Sequence, residues 1–551
     1  TNITVTASGE PTSTAEFAYD TWSRFVINTE DALGQVTIQK YNSGTGALLE
    51  STAINGLKTE YQYDGFGRLI KTKTPEGNNI LINRIGGPSN APQYCAYAIE
   101  TIPDGKPKST VYYDILGREL RSEVESPGGK ISTEKSYNAK GQLTSETAPH
   151  YSGDPIITTT YSYDIFGRVT AETTNGRTTT YNYSGTQVIT TTPAGHKFTK
   201  VYNAIGNLIS VTDNGGSASY SYHSSGQVQG ISTGGLTTTI MYDNFGRQLS
   251  ISDPSAGKVE YSYYPSGKLR TQKDARGNTY SYSYDALGRT FKISGPDENI
   301  TYYYESNGGG KGMVSSITNT ANATQKSYKY DNFGRLAEFT DKVDGVELVS
   351  SYEYDKYGNN IKHIYPSGYL INNIYDGKGS LNQITDGNGN TLWEFISETA
   401  LGQPKKYQLG SMLDVTYTYD GEQLLTGIGT TLRSIPPVVG DPVVRDNELK
   451  APIDPPSYQN VILSYSYSFD PITGNLSWRK DNKAGLREDF TYDNLNRLEK
   501  ITVGTREQLI RYEKNGNIGY KEDAGKYTYD GYKVVEVASC TNTVSSALQN
   551  I

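Results

Sequence analysis

The chemistry-bearing pattern that recurs most often in the 551 residues is Tyr-Asp-x-x-Gly-Arg, which sets a phenol, a carboxylate and a guanidinium within six positions. Such a trio can hold a proton, pair charges or shape a turn. It stands at Tyr63, Asp64, Gly67 and Arg68; at Tyr113, Asp114, Gly117 and Arg118; and at Tyr163, Asp164, Gly167 and Arg168. It returns at Tyr242, Asp243, Gly246 and Arg247; at Tyr284, Asp285, Gly288 and Arg289; and at Tyr330, Asp331, Gly334 and Arg335. Looser copies start at Tyr19, Tyr137, Tyr202, Tyr222, Tyr354, Tyr375, Tyr419, Tyr492 and Tyr529, with a Phe variant at Phe469. A group present in every unit is explained by folding, not by one active site. The expectation is therefore no catalytic, cofactor-binding or metal-binding residues, and a structural role for these turns.

The remaining candidates are weaker. His150, His196, His223 and His363 show no metal-ligand spacing. His223 replaces the turn Asp of a repeat. Gly308 to Gly312 lacks the spacing and terminal Ser/Thr of a phosphate loop, and reads as a flexible turn. Asp386 to Asn390 resembles a calcium loop but has no Glu at the twelfth position. Cys95 and Cys540 make no disulfide framework. Trp22, Trp393 and Trp478 read as packing residues rather than a sugar-binding face.

The elements that must position the repeated trio are strands. From Tyr163 the key tyrosines fall at 183, 202, 222, 242, 263 and 284, a period of 19 to 21 residues. Upstream of each Asp, Tyr alternates with polar residues, as at Tyr61 and Tyr63 or Tyr282 and Tyr284, so each pair shares one strand face. Asp accepts from turn amides, and Gly supplies a positive φ. The Phe or Leu before that Gly is expected to fold back as a small plug on the neighbouring hairpin. Arg is expected on a neighbouring Tyr ring or paired with Asp.

Each unit is thus a β-hairpin, and the class is all-β: tandem hairpins in one long antiparallel sheet that coils into a wide spiral wall. About 10 Å of sheet per unit gives a ribbon on the order of 200 Å. A coil wide enough to leave room for a globule of about 100–150 residues has a circumference of about 160 Å, so little more than one turn with a free edge is expected. The repeat region spans 1–536, with irregular insertions at about 83–108 and 434–460, the second holding Pro436, Pro437, Pro442, Pro452, Pro455 and Pro456. A non-repeat tail covers 537–551. The sequence starts at Thr1, which fits a removed leader or an excised fragment, and because both ends cut through the pattern the expectation is a fragment.

Composition limits the function. Tyr occurs 47 times against 12 Phe and 3 Trp, and the apolar share of 35% is reached only by counting Tyr, so a thick aliphatic core is not expected. The net charge of −8 comes with no basic stripe, which argues against nucleic acid. No run of about 18 apolar residues occurs, so no membrane-spanning helix is expected.

The Tyr-Asp-x-x-Gly-Arg units at this period resemble the YD repeats of the Rhs family, found also in shell components of bacterial insecticidal toxin complexes and in teneurins. The resemblance covers nearly the whole chain. It implies that the spiral is a hollow β-shell, this chain forming a partial cocoon as an excised part of a larger one, around a C-terminal toxin domain released by self-cleavage and then delivered. The partners it implies are that toxin domain, absent from this chain, further shell segments and a secretion or delivery apparatus; the location is secreted or at the bacterial cell surface. The family closes its shell with an Asp-Pro-x-Gly plug and cleaving aspartates. The nearest match, Asp470 to Gly474, sits in register with the repeats and reads as an ordinary turn. The alternative reading is an extracellular adhesion or carbohydrate-binding protein, with glycan-acceptor spacing at Asn2, Asn182, Asn299, Asn322 and Asn475.

Overall fold

A computed structural model describes residues 1–6, 8–433, 461–513 and 515–538. Among them are 48 strands, from Asn2–Val5 to Lys533–Ala538, and no helix. The strands belong to one long, open antiparallel sheet rather than a closed barrel. The expected 434–460 insertion and the tail from 539 onward lie outside the described residues.

Consecutive strands pair. Lys58–Tyr63 bonds to Leu48–Thr52 on one side and to Leu69–Lys73 on the other. The alternation of side chains explains why such segments are strands. Along Thr279–Tyr284, Thr279, Ser281 and Ser283 are exposed while Tyr280, Tyr282 and Tyr284 turn to the covered face. The register carries a fixed irregularity. Gln62 faces Lys71 but Tyr63 faces Leu69, so one extra residue is bulged at the motif tyrosine. The same shift occurs at Tyr113, Tyr163, Tyr242, Tyr284 and Tyr330. Bulges bend and twist a strand pair, so the sheet is curved at every unit.

The period break at 83–108 is not a loss of sheet. Asn79–Gly86 pairs with Tyr97–Pro103, and the added length sits in the loop 87–96 between them.

The thin core matches the composition. Among the described residues the buried apolar side chains are Ala98, Tyr112, Leu120, Ala400, Val415 and Ile510, and no large side chain is fully buried. Stability must therefore come from neighbour-to-neighbour contacts along the ribbon.

The chain divides into two units. The first comprises Thr1–Ser126, Ser221–Ile231 and Thr237–Leu381. In it the late stretch lies on the early one. Lys268 Nζ meets Glu10 at 2.8 Å, Asn55 Nδ2 donates to the Gly309 carbonyl at 2.8 Å, and Asn78 Nδ2 donates to the Lys356 carbonyl at 2.6 Å. The second comprises Pro127–Tyr220, Ser232–Leu236 and Asn382–Ile551. There Arg177 pairs with Glu422 at 2.7 Å, and Tyr532 donates its hydroxyl to the Thr233 carbonyl at 3.1 Å.

These contacts correct the expected circumference. Asn55 and Gly309 are 254 residues apart, and twenty-four strands separate their turns. At about 4.8 Å per strand that path is about 115 Å, not about 160 Å. The figure of about 160 Å followed from the size of an enclosed globule, whereas the path of the ribbon is set by its own twist and its bulged hairpins.

Candidate functional site

The repeated turn is built around its aspartate. Asp331 Oδ1 accepts the Phe333 and Arg335 amides, each at 2.9 Å, and Oδ2 accepts Arg335 Nε at 2.7 Å. Asp64, Asp114, Asp164, Asp243 and Asp285 make the same three bonds to their own turns. Gly334 closes the turn by donating its amide to the Asp331 carbonyl at 3.0 Å, at a φ of +79°. Desolvation alone would raise the Asp331 carboxyl. The turn amides and the Arg335 guanidinium outweigh it and hold the group below its ordinary value.

Arginine and tyrosine join several repeats to the next. The Arg289 guanidinium lies 3.8 Å from the centre of the Tyr304 ring, and Tyr304 donates its hydroxyl to the Thr290 carbonyl at 2.7 Å. Thr290 directly follows Arg289, so one phenol is held from both sides by a single turn. Arg168 with Tyr183 and Val169, Arg335 with Tyr354 and Leu336, and Arg497 with Tyr512 and Leu498 repeat this latch. Arg335 Nη1 also donates to the Asp355 carbonyl of the next turn at 3.0 Å. Burial raises the Tyr304 phenol, and Arg289 opposes only part of that rise. The latch needs the neutral, donating phenol, and burial favours that form. Sequence reasoning placed Arg on a neighbouring ring or on Asp; the structure has it on both. The hydroxyl's carbonyl partner went unseen, although a tyrosine fixed at one register was its signal.

The expected plug is not formed at several turns. Phe66, Leu116, Phe166 and Phe245 stand exposed at the turn tips. The three phenylalanines lie under their own arginines, with Arg68 over Phe66 at 5.0 Å, Arg168 over Phe166 at 5.1 Å and Arg247 over Phe245 at 5.2 Å. The tight Asx turn points this side chain away from the sheet, so it cannot reach the neighbouring hairpin. Leu287 and Phe333 are half-buried.

The other candidates are turn and packing groups. The amide of Ser225 donates to His223 Nδ1 at 3.4 Å, in the place the Asp would occupy. His363 stacks between Tyr352 and Tyr365, with ring centres 4.6 and 3.9 Å away, and burial lowers its basicity. Asp386 accepts the Asn388 and Asn390 amides at 2.9 and 2.8 Å. Asp470 accepts from the Ile472 and Thr473 amides, and the Gly474 amide donates to its carbonyl. Within Gly308 to Gly312, Gly309, Gly310 and Gly312 are packed: a Cβ on Gly309 would sit 2.1 Å from the Asp331 carbonyl oxygen, and one on Gly310 2.4 Å from the Tyr330 ring. Trp22 is exposed, Trp393 lies beside Phe395 and Tyr407, and Arg487 covers Trp478. Cys95 is a free thiol among the described residues, and Cys540 lies outside them.

A cavity of about 890 Å³ lies within the second unit, where Pro193, His196, Phe198 and Tyr220 face Leu495 and Arg497. Among the described residues no three or more His, Cys, Asp or Glu side chains gather in a group able to hold a metal ion. No helix among them is long and apolar enough to cross a membrane.

Comparison with known proteins agrees with this geometry. The RHS Repeat family model matches residues 41–78, 202–239 and 263–297. The chain is 30% identical over 206 residues to the tRNA3(Ser)-specific nuclease WapA of Bacillus spizizenii, covering 36% of this chain and 8% of that protein. It is 27% identical over 295 residues to mouse (Mus musculus) Teneurin-1, covering 52% and 9%. It is 26% identical over 309 residues to the double-stranded DNA deaminase toxin A of Burkholderia cenocepacia, covering 51% and 19%. Among solved structures, the TcdB2-TccC3-Cdc42 crystal structure superposes with a TM-score of 0.78 at 14% identity, over 92% of this chain and 34% of that one. The chain spans less than a fifth of these curated relatives and about a third of that solved chain. The family match falls on three stretches of the repeat array, two of which carry an Asp-x-x-Gly-Arg turn, at Asp64 and Asp285, so the chain carries Rhs/YD repeats.

Proposed function

We propose that this chain is wall material of a toxin-associated shell, which encloses and sequesters a C-terminal toxin domain until delivery. The carrying observation is the latch. It propagates a sheet without a thick core and spends the repeated Tyr, Asp and Arg groups on turn and neighbour contacts. Such a wall offers surface rather than a reaction centre, so the chain itself is read as non-enzymatic. The names of two relatives, a nuclease and a deaminase toxin, support a guarded enzymatic domain elsewhere in such proteins. The partners are that domain, other shell segments and a delivery apparatus; the location is secreted or at the bacterial surface. The repeat wall spans 1–536, followed by a non-repeat tail.

The test uses the natural full-length gene product. A domain C-terminal to this chain should resist protease in the native protein and be digested once the wall is unfolded. Equal digestion in both states would overturn enclosure. The similarity to Teneurin-1 favours a second reading, adhesion or carbohydrate binding. Saturable binding of the purified chain to cells or a glycan array would favour it.

A further inference from the structure

The ribbon has two chemically different edges. All Tyr-Asp-x-x-Gly-Arg turns lie on one, here called the tip edge. The turns joining a return strand to the next tyrosine strand lie on the other, the plain edge. Contacts between distant stretches within each unit follow one rule: the tip edge of the later stretch sits on the plain edge of the earlier one. In the first unit, Lys268 of the turn at Tyr264 meets Glu10, whose side chain is only 2% exposed. The Tyr357 tip covers Gly105 so closely that a Cβ there would lie 2.4 Å from its ring. In the second unit, Leu495 covers Gly215 in the same sense, 2.6 Å from an added Cβ, and Glu422 pairs with Arg177.

The rule leaves the tip edge of each earlier stretch uncovered. In the first unit Phe66, Ile115 and Leu116, and in the second Ile165, Phe166 and Ile205, are 73% to 87% exposed. Their counterparts Phe333, Tyr357 and Leu495 on later stretches are half-buried. Plain turns of the later stretches are open as well: Val346, Tyr369 and Met412, at or beside the turns after Leu336–Val343, Asn360–Ile364 and Pro404–Leu409, are 48% to 60% exposed. The chain therefore carries both halves of a contact that it already makes with itself.

We propose that the uncovered tip edge is a docking surface for the plain edge of a second copy of this chain. The two surfaces are unlike, so the association is head-to-tail and open-ended rather than a two-fold dimer. The apolar tips gain the cover that Tyr357 and Leu495 have within one chain.

Sedimentation velocity on the purified chain tests this. Its weight-average mass should rise beyond that of a dimer across the micromolar range. A tip variant carrying Phe66→Lys, Leu116→Lys and Phe166→Lys should keep its circular dichroism and melting temperature but stay monomeric. A plain-edge variant carrying Tyr369→Lys and Met412→Lys should do the same. Mixing the two variants leaves one intact edge of each kind, so a capped dimer should form. Three outcomes overturn the proposal: a monomer at every concentration, association that ignores the tip substitutions, or a mixture that stays monomeric.

Discussion

At the residue scale the aspartate is the centre of each turn, and its ionised form is the one the turn binds. Asp331→Ala removes three acceptor contacts and should lower the local opening free energy by about 1–3 kcal/mol. Asp331→Asn keeps the two amide bonds and should cost less. Hydrogen exchange in Thr324–Tyr330 and Leu336–Val343 checks both, because a single global free energy is poorly defined for a long repeat array. The pH dependence has a fixed sign. The folded pKa values of Asp164, Asp243 and Asp331 lie below the unfolded value of about 3.9. Their stabilisation is complete above that value and is lost as pH falls through the folded ones. Tyrosine behaves in the opposite sense. Burial raises Tyr263, Tyr304 and Tyr330, and burial with Glu123 pushes Tyr112 up to about 12. Their stabilisation is complete below the ordinary value of about 10 and disappears as pH rises through the folded ones. Acid unfolding should begin only below about pH 4. Alkaline unfolding should coincide with tyrosinate absorbance appearing above about pH 10. A melting temperature flat from pH 2 to 12 would contradict both expectations.

At the element scale the hairpin depends on its turn glycine and on the tyrosine that ties it to its neighbour. Gly167 has a φ of +83°, and an added Cβ would also press on Gln142 Nε2 at 3.2 Å. Gly167→Val should destabilise that hairpin by about 1–3 kcal/mol, since a β-branched residue resists positive φ. An unchanged exchange pattern across Thr158–Tyr163 and Val169–Thr174 would count against it. Tyr304→Phe keeps the ring under Arg289 but leaves the Thr290 carbonyl without the hydroxyl donor. The expected cost is about 0.5–1.5 kcal/mol. It should appear in the strand Thr290–Ser294 as well as in Asn299–Tyr304, because the lost bond joins two repeats. Loss confined to Asn299–Tyr304 would show that the hydroxyl does not couple them.

At the scale of the whole molecule the contacts are few and specific. Circular dichroism should show antiparallel β-sheet, and helix above about a fifth of the residues would contradict the fold. Gly105 is the sharper test. Its φ is +65°, and Tyr357 lies where a Cβ would go. Gly105→Ala should loosen the contact between early and late stretches of the first unit, raising exchange at both Tyr97–Pro103 and Val346–Tyr354. Gly345→Ala also replaces a glycine at positive φ, +80°, but meets open space, so its effect should stay local. Equal, purely local effects from the two substitutions would mean that Tyr357 does not hold Gly105.

The sequence by itself determined what is periodic. Strand, turn, the Asp acceptor and the positive-φ glycine at Gly67, Gly117 or Gly167 all rest on neighbours within about six residues, and twenty-residue repetition amplifies that local signal. The Arg-on-Tyr contact was legible as one of two options, because both partners recur at fixed spacing. The tertiary structure decided everything that depends on how far the ribbon travels before it meets itself. Curvature per unit comes from a one-residue register shift that hydrophobic pattern does not encode, so the return after 254 residues, between Asn55 and Gly309, was hidden. The same cause hid the fate of the tip side chains. Phe66 and Tyr357 occupy equivalent turns, but one is bare and the other covers Gly105, since only the distant stretch beneath a turn distinguishes them.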